Sequence, residues 1–196
     1  MTLPLDGAAI DQLFRASRTR NAWKPETLPD ATWRELYDLV KLAPTAANSS
    51  PGRFLFLTTE AAKKRLEPLL SSGNRAKTMV APCVVVIAYD TDFHHHFDVL
   101  FPERAEVMKG AFADPAVAEH NAFRNSSLEG AYLIMAARTL GLDAGPMSGF
   151  NNAGVDAEFF AGTTWKSNFI CALGHGVDTS FPRLPRLSFE EACKVI

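Results

Sequence analysis

Two short apolar runs, Phe54-Leu55-Phe56-Leu57 and residues 83–89, constrain this chain more than any other feature. Each is too short for a helix and is flanked by polar or proline-containing stretches, so each reads as a buried strand. Residues 60–70 between them are spaced as a helix crossing from one strand to the next. A third run at 168–173 extends the same α/β rhythm, in which helices cover a central sheet.

The remaining helices follow from caps and stripes. Asp6 caps a first helix carrying Ile10, Leu13 and Phe14, which runs out near Ser17. Asp30 opens a second, with Trp33, Leu36, Tyr37 and Val40 on one face and Pro44 as its stop. Ser126 or Ser127 is expected to cap a long central helix, with Ala131, Ile134, Met135 and Leu140 on one face and Gly141 as its left-handed terminator. A loop at 143–150, a short helix around 155–160 and a last helix with Ser188 and Glu191 at capping-box spacing complete the reading. Residues 91–124 are aromatic, charged and punctuated by proline, a length that suits a functional insertion or lid.

No repeat or linker divides the 196 residues, so one domain spanning 1–196 is expected. The formal net charge of -2 supplies no long-range field for nucleic acid or an anionic membrane. No apolar stretch reaches membrane-spanning length, and the start MTLPLDGAAI lacks a basic, apolar leader, which makes the cytoplasm the expected address. Cys83, Cys171 and Cys193 are widely spaced in apolar context and read as reduced core residues.

Motifs for other chemistries are missing. No GxGxxG follows the first strand and no P-loop is present, so a bound phosphate would be held by scattered side chains and loop amides. His94-His95-His96 reads as a solvated loop rather than a metal site, because consecutive side chains diverge and no carboxylate or cysteine cluster completes a shell. Glu60, Glu129, Glu190 and Glu191 fit solvated helix surfaces.

Four segments are polar or glycine-containing where their neighbours are apolar: Arg18-Thr19-Arg20-Asn21-Ala22-Trp23, residues 44–51, Asn74-Arg75-Ala76-Lys77, and Gly141-Leu142-Asp143-Ala144-Gly145-Pro146-Met147-Ser148-Gly149-Phe150. In that order, and ending in Arg183-Leu184-Pro185-Arg186, they resemble the nitroreductase family over almost the whole chain. With RNSS at 124–127 and GPMSGF at 145–150 they are most similar to the malonic semialdehyde reductases of bacterial uracil degradation.

The resemblance implies an α+β layered fold: a central mixed sheet flanked by helices, in an intertwined homodimer. It implies bound flavin mononucleotide (FMN), NADH or NADPH as hydride donor, and a small electrophilic substrate reduced in a ping-pong cycle. Arg18, Arg183 and Arg186 would hold the phosphate, where guanidinium forks suit its oxygens. Thr19 and Asn21 belong to the same first motif, although Asn21 stands where the family often has a second basic residue. Asn74 and Lys77 match positions at the flavin's pyrimidine edge, where a cation stabilises charge that appears on reduction.

Pro146, Met147, Ser148 and Gly149 would pass beside the ring, with Ser148 where many nitroreductases have glutamate. Thr45, Ala46, Ala47 and Asn48 match a loop that reaches the partner subunit's flavin. The flavin carries the hydride and no dedicated protein acid is expected, so water or a pocket hydroxyl such as Ser49 would supply a proton. Three activities fit: reduction of malonic semialdehyde to 3-hydroxypropionate, a broad NAD(P)H nitro or quinone reductase, and a flavin-binding or electron-carrier protein without turnover.

Overall fold

The computed structural model describes residues 3–177 and 182–196. Helix α1 (Gly7–Ile10) is capped by Asp6, whose carboxylate accepts the Ala9 amide at 2.8 Å, and it continues through a π-type turn over Asp11–Arg15. Helix α2 (Asp30–Val40) buries Trp33, Leu36 and Val40 and leaves Tyr37 half in solvent. A 3₁₀ turn at Ala46–Asn48 then leads into strand β1 (Gly52–Leu57). Helix α3 (Glu60–Leu66), a 3₁₀ turn containing Pro68, and helix α4 (Ser72–Met79) connect to strand β2 (Cys83–Asp90). Where the spacing at 60–70 suggests one helix, Pro68 ends the first and the chain starts a second.

Residues 91–114 fold into helices α5 (Phe97–Leu100) and α6 (Ala105–Ala111) with 3₁₀ turns. They close over an aromatic cluster of Phe93, Phe97 and Tyr89, backed by Ala118 and Ala122. The long helix α7 runs Pro115–Thr139. It starts a dozen residues before the expected Ser126 or Ser127, because Asp114 accepts the Ala116 and Val117 amides and Pro115 occupies the first turn, where its missing N–H costs nothing. Ser126 and Ser127 lie inside the helix, their hydroxyls donating back to the Phe123 carbonyl. Gly141, at φ 78°, ends the helix as expected.

Residues 143–147, read as loop, form strand β3 (Asp143–Met147). A strand tolerates proline at a sheet edge, and β3, which holds Pro146, is an edge. Helix α8 (Asn152–Phe159), strand β4 (Trp165–Gly174) and helix α9 (Phe189–Ala192) follow. The last carries the expected capping box between Ser188 and Glu191.

The sheet order is β1-β2-β4-β3 and every ladder is antiparallel, for example Phe54 opposite Ile87 and Val85 opposite Cys171. Among the described residues, the parallel component of the expected mixed sheet is confined to a single bridge between Thr19 and Ala144. Alternation along β2 divides the core in two. Cys83, Val85 and Ile87 face α2 and α7 with Leu36, Val40, Leu133 and Ala137, whereas Val84, Val86 and Ala88 face Leu57, Leu66, Val155 and Phe160.

Strand β2 is buried throughout, but β1 buries only Leu57 completely, since among the described residues nothing pairs with its outer edge. Cys83 and Cys171 are buried, and burial pushes both thiols far above the usual range. Cys193 is exposed on the C-terminal segment, contrary to the core role expected of it.

Candidate functional site

The basic turn after α1 lies along the free edge of β3. Arg20 donates its amide to the Ala144 carbonyl at 3.3 Å and its side chain to Asp143 at 3.0 Å, while Asp143 also accepts the Gly176 amide. Arg20 is therefore tied into the scaffold, which frees its neighbours Arg18, Thr19 and Asn21 to face the cavity beside it. That cavity, of about 320 Å³, is lined by Ser17, Arg18, Thr19, Asn21, Arg138, Arg183 and Arg186 among others. Among the described residues its lining has four arginines and no carboxylate.

The guanidiniums are held by backbone. Arg18 donates to the Arg15 and Ser17 carbonyls at 2.9 and 2.8 Å, and Arg183 reaches the Phe14, Arg15 and Ser17 carbonyls at 2.8 to 3.0 Å. Phe14 and Arg15 lie in the first helix's last turn, whose carbonyls lack intrahelical partners and favour cations, and Ser17 lies just beyond it. Arg186 donates to Leu184 and Pro185. Each uses one terminal nitrogen in these bonds, so the fork retains N–H groups for an incoming anion.

Arg138 was not foreseen. It sits in the last turn of α7, donates to the Leu13 carbonyl at 2.8 Å, and burial lowers its pKa. A helix-surface arginine near a C-terminus is unremarkable in sequence, and only the packing of α7 beneath α1 turns it toward the cavity.

Asn21 also borders a second cavity, of about 610 Å³, with Ala22, Trp23, Gly73, Ala76, Lys77 and Val80. Here α4 meets the first motif: the Trp23 indole donates to the Lys77 carbonyl at 3.2 Å. Asn74 donates to the Gly149 carbonyl at 3.0 Å, and the Ser71 amide donates to the same oxygen. A Cβ on Gly149 would lie 2.6 Å from both the Asn74 amide nitrogen and the Ser71 hydroxyl, so a side chain here would have to displace one of them. Of the β3 segment, Met147 is buried against the Thr78 hydroxyl, while Pro146 and Ser148 are exposed.

Three of the four expected segments and the C-terminal arginines thus meet in one region. The fourth does not: residues 45–48 line neither cavity. Ala46 and Asn48 are exposed, and Asn48 donates to the Leu100 carbonyl at 2.8 Å. Ser49, read as a pocket hydroxyl, is fully buried with Asn121 3.4 Å away, so within its own chain it lines no slot. Glu129, read as a solvated helix residue, is also buried. The Gly52 amide donates to its carboxylate at 2.7 Å, and burial pushes its pKa up to about 7.

The histidine run is more ordered than its sequence implies. On its 3₁₀ turn the rings of His94 and His95 lie 4.4 Å apart, and ligand atoms of Asp92, His94 and His95 fall within 4.8 Å of one another. The helical turn brings neighbours together that an extended loop would separate, and Asp92 is a carboxylate the sequence reading had not paired with them. His96 turns instead toward Asp90.

Comparison with known proteins agrees with this architecture. The Nitroreductase family profile matches residues 15–175. A protein of Caulobacter sp. (strain K31), provisionally named NADH dehydrogenase/NAD(P)H nitroreductase, is 55% identical over 193 residues, which are 98% of each chain. Among solved structures, a provisionally assigned nitroreductase of Exiguobacterium sibiricum in complex with FMN superposes with a TM-score of 0.87 at 16% identity, covering 99% of this chain and 100% of its own. A gut-bacterial enone reductase superposes at 0.86 and 18% identity, covering 98% and 99%. Among the described residues no helix is long and apolar enough to cross a membrane. With the profile spanning the first basic motif through β4, and a relative more than half identical along nearly its full length, this chain belongs to the nitroreductase family.

Proposed function

We propose that this chain uses its four-arginine corner to anchor FMN and, as a homodimer, reduces a small aldehyde, with malonic semialdehyde going to 3-hydroxypropionate. As a nitroreductase-family protein it is an FMN-dependent NAD(P)H oxidoreductase. The observation that carries the binding reading is the pair of cavities joined at Asn21: one lined by Arg18, Arg138, Arg183 and Arg186, the other wide and flanked by Trp23 and Lys77. A terminal phosphate suits the first and a flat ring the second. Bound there, the flavin supplies two-electron hydride transfer between the nicotinamide and the substrate.

The protein's part is to hold and shape. The arginines and Thr19 fix the anionic end, and Asn74 and Lys77 on α4 serve the ring's polar edge. The close-packed run Met147-Ser148-Gly149 presents backbone and a small hydroxyl where a glutamate would add a charge. An uncharged Ser148 leaves room for a substrate bearing its own carboxylate, and this supports the aldehyde acid over a nitroaromatic. The relatives' name, NAD(P)H nitroreductase, favours the second reading, a broad nitro or quinone reductase using the same residues.

Dimerisation is supported by what one chain leaves uncovered. Strand β1 has an open edge, and residues 184–196 expose Leu184, Leu187, Phe189, Val195 and Ile196. Tyr37, Phe123, Leu128 and Tyr132 on α2 and α7 add to this apolar surface. A second chain covering them would bring residues 45–48 to the partner's ring.

The test is a comparison of kcat/KM for malonic semialdehyde and nitrofurazone with NADH and NADPH, after flavin content has been measured. A hundredfold preference for the aldehyde is expected. A preference for nitrofurazone selects the broad reductase, and colourless protein that takes up no added FMN removes the flavin reading itself.

A further inference from the structure

Residues 45–50 hold an unusual conformation. Ala47, Asn48 and Ser50 all have positive φ, at 52°, 54° and 38°, although none is glycine. Such backbone persists only where surrounding contacts over-determine it, and it concentrates at functional sites. Here the contacts come from one face of α7. Asn121, Asn125 and Glu129 stand one turn apart at i, i+4 and i+8. Asn121 reaches the Ser49 hydroxyl at 3.4 Å, Asn125 accepts the Ala46 amide at 2.8 Å, and Glu129 accepts the Gly52 amide at 2.7 Å.

Asn125 is itself fixed, donating to the backbone and side-chain oxygens of Asn121 at 2.8 and 3.0 Å. From the other side Arg53 donates to the Ser50 and Gly52 carbonyls at 3.0 and 2.9 Å and to Asp90 at 2.7 Å. Of the three rungs, only Glu129 can change charge.

We propose that Glu129 is a positioning residue: its buried carboxylate, holding the Gly52 amide at the foot of the strained 45–50 loop, sets the shape of the slot that this loop forms over the flavin ring. The proposal rests on the reading that residues 45–48 serve the site. A hydrogen bond to an ionised carboxylate is about twice as strong as one to a neutral acid, so proton uptake by Glu129 loosens the anchor.

The groups acting on Glu129 are the Gly52 amide and Arg53, both favouring the ionised form against desolvation, which dominates and leaves the transition near pH 7. Of the other titratable groups on elements packed against α7, the buried thiols Cys83 on β2 and Cys171 on β4 are pushed upward by burial, and most of the rest are paired. On β2, Asp90 is bound to Arg53 and Tyr89 to Glu119; on β4, Lys166 is bound to Glu119; on β3, Asp143 is bound to Arg20. Asp11 pairs with Arg15 after α1, His96 stands 3.9 Å from Asp90, and α2 presents Tyr37, Arg34 and Asp38 around its outer groove.

The experiment follows hydrogen exchange of peptides covering 45–53, corrected for intrinsic pH dependence, together with steady-state reduction of 1,4-benzoquinone by NADPH between pH 5.5 and 8.5. Wild type, Glu129→Gln and Glu129→Ala are compared as FMN-loaded protein, and Asn125→Ala serves as a second lesion in the ladder if the Glu129→Ala protein is poorly folded. In wild type, kcat/KM should rise two- to fivefold through an inflection near pH 7 while loop exchange slows over the same range. Glu129→Gln, which keeps an acceptor but no charge, should lose both inflections and match wild type at pH 6. Glu129→Ala or Asn125→Ala should raise KM for the quinone at least fivefold and speed loop exchange tenfold, with one FMN per chain retained.

Unchanged loop exchange in both alanine variants, or an inflection that survives in Glu129→Gln, overturns the proposal. Faster loop exchange with unaltered kinetics in yellow protein also overturns it, by showing a held loop that does not shape the site. Colourless protein instead overturns the flavin reading, while loop exchange still reports whether Glu129 holds the loop.

Discussion

The arginine corner and the 45–52 loop organise polar groups in opposite ways. The corner gathers side chains from three distant stretches of sequence into an open cavity. Its arginines are long, solvent-exposed or half-buried, and anchored mainly to backbone carbonyls. The loop is gripped from inside the protein by Asn125 and Glu129, both buried, through hydrogen bonds to its amides. One region concentrates positive charge; the other fixes a shape. Screening by salt should weaken the first and leave the second alone, while pH near neutrality should do the reverse.

The largest effect expected comes from damaging both regions in different chains. Asn48→Arg and Arg186→Glu should each be nearly inactive as homodimers. If the loop serves the partner's site, a mixed dimer has one site with both lesions and one with neither, and it recovers about half the wild-type activity per dimer. If the loop serves its own chain, every site keeps one lesion and mixing restores nothing. Heterodimer formation is verified by mass.

Stability against pH distinguishes the regions next. The folded Glu129 pKa, about 7, lies above the model-compound value of 4.5. The folded state therefore binds more protons than the unfolded state between those values. Its contribution is fully present below about pH 4.5 and is lost as pH rises through 7. The difference is worth about 3 kcal/mol. Urea denaturation of Glu129→Gln should accordingly show a gain relative to wild type on going from pH 5 to pH 8. A pH-independent difference would mean that Glu129 titrates alike in both states.

The corner answers to charge. Arg186→Ala should weaken FMN binding by about 1.5 to 3 kcal/mol, the range for hydrogen bonds to charged groups. Arg138→Ala should fall in the same range if the fourth arginine shares the load. Raising KCl from 50 to 500 mM should weaken FMN binding by wild type several-fold and leave exchange at residues 45–53 unaltered. Salt-sensitive loop exchange would erase the distinction between the two regions.

The two regions also differ in how much of them could be read in advance. Charge leaves a compositional mark, so Arg18, Arg183 and Arg186 stood out among apolar neighbours, as did Asn74 and Lys77. Arg138 did not, because its role depends on where α1 packs. The loop's residues were visible too, but its anchors were hidden. Glu129 carries the same residue type as a solvated helix position, and only the burial of that face of α7 distinguishes it. The misplaced start of α7 compounded the error: with the helix begun at Ser126, Asn121 and Asn125 fell outside it and no ladder could be drawn. Strand β3, read as loop, holds Pro146 at an edge position, where a missing N–H does no harm. Periodicity located β2 and β4 well, since strands buried on both faces need unbroken apolar runs.

The smallest effect expected concerns how firmly the C-terminal arginines are presented. Residues 182–196 are exposed throughout, and the local order within them is the four-residue helix α9 with its capping box. Ser188 accepts the Glu191 amide at 3.3 Å and its own amide donates to Glu191 at 2.9 Å. Ser188→Ala removes one of these bonds, a loss typically near 1 kcal/mol for an N-cap. Only the part of that loss that propagates two residues back to Arg186 should reach the ligand. FMN affinity should therefore fall by no more than about fivefold, with global stability and loop exchange at 45–53 unchanged. A larger loss, approaching that of Arg186→Ala, would mean that the tail must be pre-ordered for the corner to exist. No loss at all would mean that Arg183 and Arg186 are held in place by their carbonyl contacts and the partner chain, with α9 irrelevant to binding.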